Sequence, residues 1–314
     1  MTSGGGILRS SQLWIDPSGQ NDLDSDAIAW EDFELPVAAT ITKVRWWGQV
    51  APSLGFRISF FHQDPNTVAV QPDMFAAGSH PIQQAEYMNF TQVAAGGGMY
   101  RFEATLVAPL QFDAHTRYFV SVVGRTPIAY ATWGWASSPV GVHGTFWWQR
   151  GAHMFFHLGD ERAVALATAA GWPIGASYCA AANNSTGTSA VIGAFGSASA
   201  ALNNASLSAH SLPPSSFGFF MASRTQDFVA NPAGSQGNLC LGGSIGRFVG
   251  PGQVQSSGAV GQFALALDWS QIPTPTGPVQ ANVGETWSFQ AWYRDSFVGQ
   301  PTSNFSNGVA VQVL

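Results

Sequence analysis

The chain has 314 residues, 46% of them hydrophobic, which is enough for two domains with sizeable cores. Only 10% are charged and Lys43 is the sole lysine, so solubility rests on neutral polar groups and self-association is eased. The formal net charge of −6 and the scatter of the twelve Lys and Arg argue against a nucleic-acid partner, and no apolar run is long enough for a membrane span.

Residues 1–13, opening on MTSGGGILRSS, predict a flexible lead-in with no charged n-region or apolar h-region. An exported chain of this kind has lost its leader or uses another route. Asp22, Asp24 and Asp26 then form a D-x-D-x-D run, and clustered carboxylates suit calcium. An EF-hand loop needs Gly at its sixth position and Glu at its twelfth. Ala27 and Phe33 stand there instead, leaving a calcium site of another kind or a plain solvated acidic loop. Seven of the eighteen acids precede Pro36, in a region that reads as loop.

Residues 14–170 predict an aromatic-rich β-sandwich domain. Strands are expected over 41–47, 56–61, 99–106, 118–123 and 153–158, separated by Gly, Pro, Asn and Asp clusters such as APSLG and QDPN. Helix is scarce: 73–77 has room for one turn, and 161–170 carries helix formers but reads equally as strand and linker. Gly171-Trp172-Pro173-Ile174-Gly175 breaks any helix, so the domain junction is placed at 169–176.

Tryptophans come in near neighbours here: Trp46 and Trp47, Trp133 and Trp135, Trp147 and Trp148. Successive strand side chains point to opposite faces, so one of each adjacent pair is expected to leave the sheet interior. These six are the candidate ligand-binding residues, since flat aromatic faces suit sugar rings or another protein. The competing reading is burial in a second layer, which tryptophan generally favours. His143, His153 and His157 have the side chains for a zinc, copper or nickel site, but no Cys or carboxylate joins them at a telling spacing.

From Ser177 the style changes to small residues. Residues 177–314 predict a Gly/Ser/Asn-rich β-sandwich domain with strands over 190–194, 206–209, 218–222, 261–267, 286–293 and 309–313. The segment GETWSFQAWYRD alternates clearly: Trp287, Phe289, Ala291 and Tyr293 share one face, which is therefore buried. Cys179 and Cys240 are the only cysteines, and an extracellular setting would pair them in a disulfide contributing on the order of 4 kcal/mol. The alternative is two reduced, buried thiols. Gly242-Gly243-Ser244-Ile245-Gly246 matches G-x-S-x-G, but Arg-Phe-Val-Gly-Pro-Gly follows and no histidine lies after His210. A glycine turn, not a nucleophile elbow, is expected there.

The second half resembles a C-terminal module of large secreted proteins of planctomycete-type bacteria. The likeness is carried by Tyr178-Cys179, Asn238-Leu239-Cys240-Leu241-Gly242-Gly243, Ile245-Gly246-Arg247-Phe248 and Phe289-Gln290-Ala291-Trp292-Tyr293-Arg294-Asp295. The first half resembles, more loosely, a β-sandwich module of secreted bacterial proteins through Trp30-Glu31-Asp32-Phe33, Val44-Arg45-Trp46-Trp47-Gly48 and Trp133-Gly134-Trp135. The resemblance implies an exported, non-catalytic protein at the cell surface or in a matrix. Its expected partner is a glycan, a surface protein or further copies of itself.

The expectation is thus an all-β chain of two β-sandwich (jelly-roll or Ig-like) domains in tandem, with no catalytic residue assigned. The runner-up is a polysaccharide-active hydrolase with a cleft between the domains.

Overall fold

The computed structural model describes residues 5–16, 26–35, 38–67, 70–73, 81–139, 143–149 and 154–314. The described residues are almost wholly strand, turn and loop, with a single 3-10 turn at Pro232–Gly234. The chain divides into two compact units, 1–169 and 170–314.

The first unit is built from two seven-stranded sheets. One runs in the order Gly5–Ser10, Gly134–Ser138, Ala39–Gly48, Met99–Phe112, Thr91–Gly96, with Glu161–Arg162 and Val164–Thr168 added to it. The other runs Met154–Leu158, Thr145–Gln149, Ala27–Glu34, Gln12–Trp14, Arg117–Thr126, Phe56–His62, Gln83–Tyr87. Alternation puts Phe56, Ile58 and Phe60 of the second sheet against Trp46, Phe102 and Phe112 of the first, giving one shared core. The aromatic rings interlock there: Trp46 stacks on Phe102 with centroids 5.5 Å apart, and Phe56 meets Trp46 edge-on at 5.0 Å.

Two expectations change in this unit, and one alternative is decided. Residues 5–14 are not a loose lead-in but strands within both sheets, Gly5–Ser10 and Gln12–Trp14. The acidic stretch before Pro36 contains the strand Ala27–Glu34, because Ala27, Ala29 and Trp30 are buried while the acids take positions with dedicated partners. Residues 161–170 resolve to strand, Glu161–Arg162 and Val164–Thr168, where Ala165 and Ala167 alternate inward. The helical turn expected over 73–77 lies outside the described residues apart from Asp73.

The second unit packs a four-stranded sheet (Pro173–Ile174, Val191–Phe195, Ala205–His210, Phe263–Leu267) against a six-stranded one. The latter runs Ala176–Tyr178, Gln300–Gln312, Thr286–Phe297, Phe217–Ser223, Gly246–Arg247, with Gln255–Ser256 also pairing to Phe217–Ser223. Trp287, Phe289, Ala291 and Tyr293 all face this core, as their alternation requires, together with Val309, Val311, Ile192 and Leu207.

The outer face of the six-stranded sheet is also covered. A hairpin of Thr225–Ala230 and Asn238–Gly242 lies over it, and Met221, Leu241 and Phe305 form a second apolar cluster beneath. A β-bulge makes this cover possible. Gln290 pairs with Gly308 but Trp292 pairs with Phe305, so the strand Gln300–Gln312 carries an extra residue between these pairs. The bulge reverses side-chain parity: Val309 points inward and Phe305 outward, although both have odd numbers.

Candidate functional site

The hairpin over the six-stranded sheet is fastened at three points. Gln290, fully buried, accepts a hydrogen bond from the Cys240 N–H (2.9 Å) and donates through Nε2 to the carbonyls of Asn238 (2.8 Å) and Ser306 (2.7 Å). Its amide therefore replaces strand-to-strand bonds where the hairpin crosses the sheet. The Cys179–Cys240 disulfide, with Cα atoms 6.2 Å apart, ties the hairpin to the end of the edge strand Ala176–Tyr178. Tyr178 donates its hydroxyl to the Cys240 carbonyl (3.0 Å), and its ring rests on Gly308, where a Cβ would overlap it.

Beside the fastened part, the hairpin and sheet leave a half-open pocket of about 450 Å3, within the range typical of small-ligand sites. Its wall is the cross-strand pair Phe219 and Trp292, stacked with centroids 4.9 Å apart. Met221, Leu239, Ile245 and Phe305 complete the apolar lining, and the Pro232–Ala233 turn borders it. Polar character comes from Ser303 and the exposed Arg247. Among the described residues no carboxylate pairs with Arg247. An aromatic wall with few polar groups at the rim binds a ring by its apolar face and orients it by hydrogen bonds.

None of these lining residues was among the six candidate tryptophans. The signal for Trp292 was nevertheless present: it is five residues from Trp287, so alternation sends one inward and the other outward. The structure does so, with Trp287 buried and Trp292 partly exposed.

The six candidates lie elsewhere, and four of them follow the competing reading of burial. Trp46 and Trp135 are fully buried, and Trp47 and Trp133 nearly so. Trp46 is in the core; Trp47 does point to the other face, but that face is covered too. Trp133 donates its indole N–H to the Gln49 carbonyl (3.2 Å), with its ring over Gly48, where a side chain would collide with it. Trp135 donates to the Ala163 carbonyl (3.0 Å). Trp147 and Trp148 are half-buried on opposite faces of their sheet. Trp147 packs on the main core and donates to Ser10 (2.8 Å), while Trp148 joins an outer cluster with Trp30, Phe119 and Phe146. Trp46, Trp133, Trp135 and Trp147 belong to the main core, whereas Trp47 and Trp148 leave the interior without reaching full exposure to water.

Asp22, Asp24 and His153 lie outside the described residues. Asp26 is buried and accepts the Trp14 N–H (2.9 Å), so it is not part of a solvated loop. His143 does not join His157. Its Nε2 accepts from Arg117 (2.8 Å), which can only donate, so its Nδ1–H donates to Asp32 (2.7 Å). Both ring nitrogens are thereby occupied. The Gly242–Gly246 motif is a turn, as expected: Gly243 has φ 60°, and the strand Gly246–Arg247 follows instead of a helix.

A second polar cluster sits at the edge of the first unit. Glu31, Asp32 and Glu161 bring carboxylate oxygens within 4.8 Å of one another. Burial, then a hydrogen bond to Glu161, pushes Glu31 up to about 10, so it is protonated at neutral pH and shares its proton with Glu161. Glu31 also accepts the Arg162 N–H (2.6 Å), and Glu161 accepts the Gly144 N–H (2.8 Å). The buried Arg162 guanidinium donates to the Trp135 carbonyl (2.7 Å) and Thr145 hydroxyl (3.0 Å) and pairs with Asp160. Because Trp135 and Thr145 belong to different sheets, Arg162 is a tie across the sandwich edge. These acids are engaged with partners inside the fold.

No protein family, curated protein or solved structure was found to match this chain.

Proposed function

We propose that this protein is a non-catalytic, exported binding module that holds a glycan in the Phe219–Trp292 pocket. The observation that carries this reading is a stacked aromatic wall kept partly open on a sheet face that is otherwise roofed. A flexible roof would close such a pocket on itself, and here the disulfide and Gln290 hold the hairpin in place. Pre-organisation of this kind lowers the ordering cost of binding. The disulfide also supports an oxidising location at the cell surface or in a matrix. Screening the purified chain and a Trp292→Ala variant on a glycan array tests the reading. Hits that disappear in the variant support it; no hits, or hits unchanged in the variant, refute it.

Self-assembly is a second reading, favoured by one feature. Thr91–Gly96 ends its sheet with all six residues exposed and no charge among them. Natural edge strands are usually protected by charge, proline or a bulge; here the register shifts only near the end, between Ala94 and Gly96, and the neutral stretch before it accepts a second copy without repulsion. Sedimentation should then show concentration-dependent oligomers that Val93→Lys abolishes. A monomer at high concentration rules this reading out.

A further inference from the structure

Resting on the pocket reading above, we infer that the glycan is acidic: a hexuronate ring packs on the Phe219–Trp292 wall while its carboxylate pairs with Arg247. Three observations lead there. The 170–314 unit contains only three cationic side chains, Arg224, Arg247 and Arg294, and no lysine. Arg224 is already engaged, bound to Glu285 at 3.2 Å and lying 4.2 Å from the Trp287 ring centroid. Arg247 is the one that borders the aromatic pocket, and no described carboxylate neutralises it.

Its position is fixed by the fold. Arg247 sits on the two-residue strand Gly246–Arg247 at the end of the sheet and pairs with Met221, two residues along the strand from Phe219. Phe248 beside it is buried in the main core, and Ile245 on the other side lines the pocket. The backbone at Arg247 is therefore anchored on both sides while the guanidinium reaches the rim. A guanidinium presents a planar fork that matches a carboxylate with two parallel hydrogen bonds. A pyranose offers an apolar face to the rings and, in a uronic acid, a carboxylate at the ring edge. Ring and charge are then met by neighbouring groups of the same pocket. A neutral hexose satisfies only the aromatic wall.

The test uses tetramers of galacturonate, mannuronate, guluronate and glucuronate, each beside its methyl ester, which keeps size and shape but removes the charge. A sulfated disaccharide oligomer serves as a second anionic probe. Calorimetry at low salt is expected to show at least one uronate bound about tenfold or more tighter than its ester, the equivalent of one charge-assisted contact. That preference should vanish in Arg247→Gln, where the affinity for the acid falls to about that for the ester, and weaken as salt is raised. Equal affinity for acid and ester would overturn the inference and leave the pocket reading standing. A preference that survives in Arg247→Gln, or tighter binding of the sulfated probe than of every uronate, also overturns it. If no tetramer binds, the inference fails, and the array with Trp292→Ala separately decides whether the pocket binds any glycan.

Discussion

Replacing Glu31 by Gln should stabilise the protein at neutral pH and leave it unchanged in acid. Glu31 is 5% exposed and is held protonated at pH 7, with its pKa raised from 4.5 to about 10. The unfolded chain releases this proton above pH 4.5 and the folded chain keeps it. The folded state thus binds more protons, and its stability falls as pH rises between these two values. Each pH unit in that window costs about 1.4 kcal/mol, so the ceiling at pH 7 is about 3 kcal/mol. Glutamine has the same shape: its carbonyl accepts the Arg162 N–H and its amide donates to Glu161. It carries no proton to lose. Wild type and Glu31→Gln should coincide near pH 4 and diverge steadily above pH 5. The variant should gain up to about 3 kcal/mol at pH 7, or roughly 6–12 °C in Tm for a unit of this size. Urea unfolding at several pH values, followed by tryptophan fluorescence, reads this out. Eight of the twelve tryptophans lie in residues 1–169, so the signal reports mainly on the relevant unit. A variant less stable than wild type at pH 7, or an offset equal at pH 4 and pH 7, would refute the shared-proton description.

Other consequences are equally direct. Gln290→Leu removes three buried hydrogen bonds and strands the Cys240 N–H and two carbonyls; a loss of about 2–5 kcal/mol is expected in denaturant unfolding. The Cys179→Ser, Cys240→Ser double variant should lose about 2–4 kcal/mol, by the loop-closure argument, and hydrogen exchange should accelerate across 225–242 while the main core stays protected. Gly308→Ala places a methyl group in the Tyr178 ring and should cost about 1–3 kcal/mol, relieved in part by Tyr178→Ala.

Much of the fold was legible because alternation is a local property. Phe56, Ile58 and Phe60 announce a strand by themselves, and so do Trp287, Phe289, Ala291 and Tyr293. The strand Ala27–Glu34 is hidden because the density of acids before Pro36 reads as loop, whereas Glu31 is buried and held protonated beside Glu161, far along the chain. Val309, Val311 and Val313 share a face as their alternation requires, but parity does not extend back to Phe305, which differs in face because of a bulge. No local pattern marks that bulge; it exists because Trp292 pairs with Phe305. Tryptophan exposure is illegible in the sequence for a related reason. Alternation tells which side of a sheet a ring takes, but not whether that side is covered; Trp47 is buried there and Trp148 joins a second aromatic cluster. The pocket needs Phe219, Arg247 and Trp292 from three strands, so only the sheet order brings it together. Cys179 and Cys240 were the exception: two cysteines allow one pairing, and the structure contains it.

The most direct test of the central claim is an indole N–H NMR titration with the best array ligand. The twelve tryptophans give up to twelve signals, and Trp292→Phe identifies the one of interest. Added ligand should shift the Trp292 signal saturably, leaving those of the buried Trp46, Trp135 and Trp287 in place. A saturable response confined to other indoles, with Trp292 unmoved, would contradict the account.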